Sequence, residues 1–298
     1  GMKALLTRAK PRRIADLMAL TSLFRPGPMQ FIDRYVDVRN GTQHTSYPLP
    51  ELREILEETH GVIVYQEQVM KIAQVVAGFS LGQADILRRA MGKKKVKEME
   101  EQRERFVAGA QQKGHSKNVA VGIFEMMAPF AEYGFAKPHA AAYSVLSYHT
   151  AYLKAHHPAA FMAANLTNEI DNIDKLAEYI AEARSMELEV LAPDVNVSQA
   201  EFTVRDGAIV CGLRGIRNVG ASAVEEIVDR RTEGGPFNEI NDFLERVDLK
   251  QVNRKVVESL VQVGAFDATQ HNRATLMDNL ERLLERVAAE KASRMHGQ

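Results

Sequence analysis

Apolar residues recur with helical spacing through most of the chain. In "GVIVYQEQVMKIAQVVAGF" a short apolar run gives way to Val69, Ile72, Ala73 and Val76. Their i, i+3, i+4, i+7 spacing lays one stripe along a helix face and predicts a core-facing helix. Upstream, residues 3–24 carry the pattern of one or two short amphipathic helices broken at Pro11. "FRPGPM" places Pro26 and Pro28 around Gly27, which excludes helix and sheet interior and predicts a stiff loop. "SLGQADILRRAMG" predicts a helix with marked ends. Ser80 is its N-cap, Gln83 completes a capping box, and Gly92 supplies a left-handed exit. "VKEMEEQRERFVAGAQQKG" predicts a further helix with mixed charge on its wet face. "EYGFAKPHAAAYSVLSYHTAYLKAHHP" reads as a loop leading into a long helix that stops near Pro158, and an acidic helical pair follows it.

The texture changes at Leu191. Two short β-rich runs flank Asp206-Gly207, a hairpin signal, and helical pattern returns from Gly220 to the end. The expected fold is mainly α with a short β-hairpin, a domain boundary near residue 190, and a loosely held helix after about residue 286. No period of a solenoid repeat is present.

With 298 residues the chain is long enough for roughly two domains. Its 38 basic and 39 acidic residues give a net charge of −1, so a nucleic-acid role must rest on local patches. Cys211 stands alone, which rules out an internal disulfide and a cysteine metal site and fits a reducing cytosol. No apolar run reaches the roughly 18 residues needed to span a bilayer. No membrane role and a soluble, cytoplasmic protein are expected. The opening "GMKALLTRAK" enters helical pattern at once, which suggests a piece of a longer protein.

Three constellations carry candidate chemistry. In "LRRAMGKKK", Arg88 and Arg89 sit in the last turn of the predicted helix, with Lys93, Lys94 and Lys95 past its end. Guanidinium forks and lysine point charges so placed can converge on phosphates. A solvated charged turn is the alternative. The reading rests on two points: neutralising acids are expected downstream of the cluster, and both arginines lie in an otherwise apolar helix. In "GFAKPHAAAY", Lys137, His139 and Tyr143 stand at a loop–helix junction, with His139 and Tyr143 one turn apart. They could hold a nucleotide by charge, hydrogen bond and stacking. The alternative makes Tyr143 and Tyr148 partly buried packing residues and His139 a cap. In "GLRGIRNVGAS", Gly215, Arg217, Asn218, Gly220 and Ser222 form the turn of a helix-hairpin-helix. There glycines admit a DNA backbone and helix-start N–H groups grip a phosphate. The Val263-Gly264 junction suggests a second, weaker copy. No P-loop, HExxH or nucleophile elbow is found, nor paired aspartates placed to hold two metal ions.

Together, "LFRPGPM", "GVIVYQEQVMKIAQVVAGFSLGQADILRRAMGKKK", "YGFAKPHAAAYSVLSYHTAYLKAHHPAAFMAA", "LAPDVN" and "GLRGIRNVG" resemble the alpha subunit of bacterial DNA polymerase III, a C-family replicative polymerase. The resemblance implies a helical fingers domain over 1–190, a β-hairpin connector over 191–213, a tandem helix-hairpin-helix domain over 214–285 and a tail over 286–298. It implies template-directed DNA synthesis, with Arg88, Arg89, Lys93, Lys94, Lys95 and Lys137 near the triphosphate of an incoming dNTP. By family position, His139 lies near the nucleotide sugar, where it could exclude a 2′-hydroxyl. The hairpin from Gly215 to Gly220 then holds duplex DNA. Where the family often reads Asn-Lys-Ser-His, this chain has Ala136-Lys137-Pro138-His139, so Pro138 is left to fix the loop. The Mg2+ of that chemistry is held by aspartates of a palm outside this sequence, so none is expected on this chain, which by itself is expected to be inactive. The longer protein would meet the sliding clamp and other replisome subunits. A stand-alone repair module with helix-hairpin-helix motifs, or a basic turn docking an acidic protein, remain the other readings.

Overall fold

In the computed structural model, which describes residues 1–92, 96–269 and 272–295, fifteen α-helices and three short strands account for most of the chain. The chain divides into two compact units, Gly1–His149 and Thr150–Gln298. The division falls inside a helix, well before the change of texture near residue 190.

Among the described residues the first unit is built from helices. It comprises α1 (Met2–Ala9), α2 (Ile14–Leu23), α3 (Ile32–Asn40), α4 (Leu52–Leu56), α5 (Gln66–Ala77), α6 (Leu81–Gly92), α7 (Val96–Gln112), α8 (Lys117–Tyr133) and the start of α9 (Lys137–His156). The predicted stripe of α5 is realised, with Val69, Ile72, Ala73 and Val76 wholly buried. Helices α5 to α8 pack on one another around it. Gly109 makes the α5–α7 approach feasible, since a Cβ there would lie 2.2 Å from the Ala77 carbonyl oxygen. Ser80 and Gln83 form the expected capping box: Ser80 N donates to Gln83 Oε1 at 2.8 Å, and Gln83 N donates to Ser80 Oγ at 3.3 Å. Gly92 is the last residue of α6, and the exit beyond it lies outside the described residues.

The second unit continues with α10 (Pro158–Asn168) and α11 (Ile173–Ser185), which pack on a small sheet. Strands β2 (Thr203–Arg205) and β3 (Ala208–Val210) form the predicted hairpin, in register from Thr203↔Val210 to Arg205↔Ala208. Asp206 and Gly207 both have positive φ, 52° and 85°, as a tight two-residue turn requires. The sheet also has a member the sequence pattern did not suggest: β1 (Val190–Leu191) pairs parallel to β3. Helices α12 (Ala221–Gly234), α13 (Ile240–Arg246), α14 (Arg254–Val263) and α15 (Arg273–Met295) share a second core. The expectation of a loose tail is corrected here. Helix α15 runs unbroken past residue 286, Val287 is fully buried, and Lys291 Nζ donates to Val247 O at 2.5 Å.

Candidate nucleotide and nucleic-acid sites

The loop between α8 and α9 is held by backbone pairing with the extended segment before α5. Phe135 N donates to Val64 O and Gln66 N donates to Phe135 O, both at 3.0 Å. The Gln66 side chain then joins two candidate groups. Its Nε2 donates to Gly134 O at 2.9 Å, while its Oε1 accepts from Arg88 Nη1 at 3.4 Å. Arg25, from the predicted stiff loop, closes the other side. Its guanidinium stands 4.5 Å over the Phe135 ring, Nη2 donates to Tyr133 O at 2.6 Å and Nε to Ser22 O at 2.9 Å. Burial pushes the Arg25 pKa down. One corner of the first unit thus gathers Arg88, the loop carrying Lys137 and His139, and Arg25.

Arg88 and Arg89 are not free of acids, which corrects one ground for singling them out. Asp85, one turn earlier on α6, takes Arg88 Nη2 at 2.6 Å and Arg89 Nη2 at 2.8 Å. The hydrogen bond from Arg88 holds the Asp85 carboxyl below its ordinary pKa. The side chains are 26% and 64% exposed, so both reach the surface and Arg89 largely faces water. Pairs at such surface positions contribute little to stability. A triphosphate of several charges can displace the carboxylate. Lys93, Lys94 and Lys95 lie outside the described residues.

Lys137 is engaged as well. Its Nζ pairs with Glu58 Oε2 at 2.5 Å and lies 5.7 Å from the Tyr65 ring centre, and its backbone N–H donates to the Glu67 carboxylate. The His139 ring sits between Phe135 and Tyr143, with centroids 5.2 and 4.6 Å away. The packing alternative for Tyr143 fails, because its side chain is 60% exposed. The exposed His139–Tyr143 pair offers ring surface that a base or sugar can stack against.

In the second unit, Ile216 and Val219 are buried and pin the hairpin, while Arg217, Asn218, Gly220 and Ser222 are exposed; Gly215 is half-buried. Val219 N donates to Ile216 O at 3.1 Å. The positive φ of this turn, 68°, belongs to Asn218 and not to a glycine. Asn218 Nδ2 donates to Ser259 Oγ at 3.1 Å and ties the turn to α14. Gly220 has φ −81° and caps α12 with no side chain; a Cβ there would meet nothing within 4 Å. Its value is the open ground before the helix N–H groups, not a special backbone angle. The Val263-Gly264 junction differs. Gly264, at φ 85°, closes α14, and α15 begins only at Arg273, so the second copy does not repeat the first geometry.

Among the described residues no three His, Cys, Asp or Glu side chains converge so as to hold a metal ion. The resemblance places its Mg2+ on aspartates outside this sequence, and no step is assigned to it. Nor is any helix among them long and apolar enough to cross a membrane.

Sequence reasoning missed Asp85, Gln66, Glu67, Glu58 and Arg25. Asp85 was legible, because its spacing of three and four from the arginines is the spacing of helical ion pairs. The others act across sequence separations of 22 to 108 residues, which local pattern does not report.

By its family matches the chain joins a polymerase finger domain to a helix-hairpin-helix domain. A family model of the bacterial DNA polymerase III alpha subunit finger domain matches residues 1–114, and one of the helix-hairpin-helix motif matches residues 187–276. DNA polymerase III subunit alpha of Borreliella burgdorferi is 51% identical over 298 residues, covering 100% of this chain and 26% of the relative. The subunit of Treponema pallidum is 49% identical over 292 residues (98% and 25%), and that of Thermus aquaticus 51% over 299 (99% and 24%). The chain belongs to the bacterial DNA polymerase III alpha subunit family. It spans about a quarter of the length of these relatives.

Proposed function

We propose that this chain supplies the nucleotide-closing and duplex-holding part of a DNA-directed DNA polymerase. Arg88 and Arg89, with Lys93, Lys94 and Lys95, meet the triphosphate of an incoming dNTP. Their charge offsets that developing on the β- and γ-phosphates as pyrophosphate leaves. Lys137 adds charge after exchanging Glu58 for phosphate. His139, steadied by Phe135 and Tyr143, faces the sugar and excludes a 2′-hydroxyl. Gly215 to Ser222 hold the phosphate backbone of product duplex at the start of α12. The observation that carries the reading is the shared Gln66 side chain, which ties the Arg88 guanidinium to the loop bearing Lys137 and His139.

The metal chemistry belongs to carboxylates of a palm outside this sequence, so the chain alone is catalytically silent. Clamp and replisome contacts, the domain limits at 190, 213 and 285, and a cytoplasmic location belong to the same proposal. The test is a full-length polymerase carrying Arg88→Ala and Arg89→Ala. Losing a charge-assisted hydrogen bond costs about 1.5–3 kcal/mol, so the KM for dNTP should rise roughly ten- to hundredfold. Duplex affinity should hold within about twofold. Equal losses of both would favour a plain DNA-binding module.

A further inference from the structure

We propose that a basic pocket formed by α1, α2 and α3 binds the phosphate backbone of a nucleic-acid strand, separately from the nucleotide and duplex sites above. The pocket, about 790 Å³, is lined by Arg8, Lys10, Arg12, Arg13 and Arg39, with Asp16 as its one carboxylate. Asp16, 2% exposed, is already spent. It accepts from the backbone of Arg12 and Arg13 and from the Arg13 and Arg39 guanidinium groups. Arg8 is held by Asp33 at 2.8 Å. Lys10 and Arg12 are both exposed, and no acid of the lining remains to neutralise them.

The pocket is built and not incidental. Arg39, with a side chain 10% exposed, donates to the carbonyls of Ala9 and Lys10 and to Asp16, which fixes the end of α1 against the start of α2. Lys10 is thereby held at φ 49°, a conformation unusual for a side-chain-bearing residue. Two buried polar atoms of the lining, Arg39 Nε and His60 Nε2, have no hydrogen-bond partner. Burial holds the His60 pKa down, so it adds no charge near neutral pH. The only ring of the lining, that of His60, stands edge-on to Tyr35 at 5.0 Å. The pocket therefore has clustered guanidinium and ammonium groups but no aromatic platform. That chemistry grips phosphodiesters by charge and fork geometry without reading bases.

The test uses the whole chain and fluorescein-labelled dT20, followed by anisotropy between about 50 and 200 mM salt. Lys10→Asn, which tolerates a positive φ, is combined with Arg12→Gln. With two phosphates no longer neutralised, the log–log salt slope should fall by about 1.4, at roughly 0.7 per phosphate for single strands. A second variant, Lys10→Glu with Arg12→Glu, should lower it further, while circular dichroism shows the native melting profile. The same pair placed on Gly220→Asp should give an additive loss, which keeps this site apart from the hairpin even if the hairpin assignment fails. An unchanged slope in both charge variants overturns the proposal. So does equal binding of labelled oligoglutamate, which would make the pocket a protein-docking site.

Discussion

Asp85 is the residue on which the proposed nucleotide site turns. It presents to Arg88 and Arg89 the same kind of oxygen anion that a triphosphate would, and so holds both guanidinium groups together at the surface. Asp85→Asn should therefore strengthen binding of tripolyphosphate to the chain, read by calorimetry, and raise its competition against dNTP. If binding weakens instead, Asp85 orients the arginines more than it competes for them. Gly220 gives a cleaner case in the second unit. Its backbone angles suit any residue and its Cβ position is open, so Gly220→Asp should leave the melting temperature unchanged or slightly higher. The added carboxylate stands where a phosphate would dock. Duplex affinity should fall, and the salt slope should drop by about 0.9 for each phosphate that is no longer neutralised. Position and type were readable for Arg88, Arg89, His139 and Gly220. What each one touches was not, except at Asp85, where helical spacing alone announces the pair.

At the scale of elements, local signals served well where one short stretch decides the outcome. The capping box at Ser80, the stripe of α5 and the Asp206-Gly207 turn are of this kind. They failed where a distant partner decides. The tail is a helix by its own pattern, and its fixation through Val287 and Lys291 depends on α13 and the segment after it, some 44 residues away for Lys291. The parallel strand β1 is two residues long, too short for any periodicity to show. Helix packing also makes a strong prediction. Gly109→Ala would set a methyl group against the Ala77 carbonyl. Overpacking of this kind costs about 1–3 kcal/mol, and the melting temperature of the first unit should drop by several degrees. An unshifted melting curve would mean that α5 and α7 separate without cost.

For the whole molecule, a net charge of −1 conceals segregated charge. The basic groups of the first unit are arranged around carboxylates that hold them in place, Asp16 and Asp85 above all. Acid should loosen this arrangement. Burial lowers the His60 pKa, so below its unfolded value of about 6.5 the unfolded chain binds more protons and stability falls with pH. Asp16 is held below its ordinary value by hydrogen bonds from the Arg12 backbone, Arg39 and Arg13, which outweigh the opposing effect of burial. Its contribution, full above about pH 4, is lost as pH drops through the folded-state value. Denaturant melts of the chain should show stability declining between about pH 7 and 5, and His60→Gln should flatten that limb.

If the two units hold different phosphates, the difference should be visible residue by residue. The direct measurement is a titration of the isotopically labelled chain, read at its arginine side-chain NMR resonances, once with dTTP and once with a short duplex. With dTTP the resonances of Arg88 and Arg89 should move and that of Arg217 stay still; with duplex the pattern should reverse. Movement of Arg217 by dTTP to the same degree as Arg88, or a nucleotide response that bypasses α6 altogether, would contradict it.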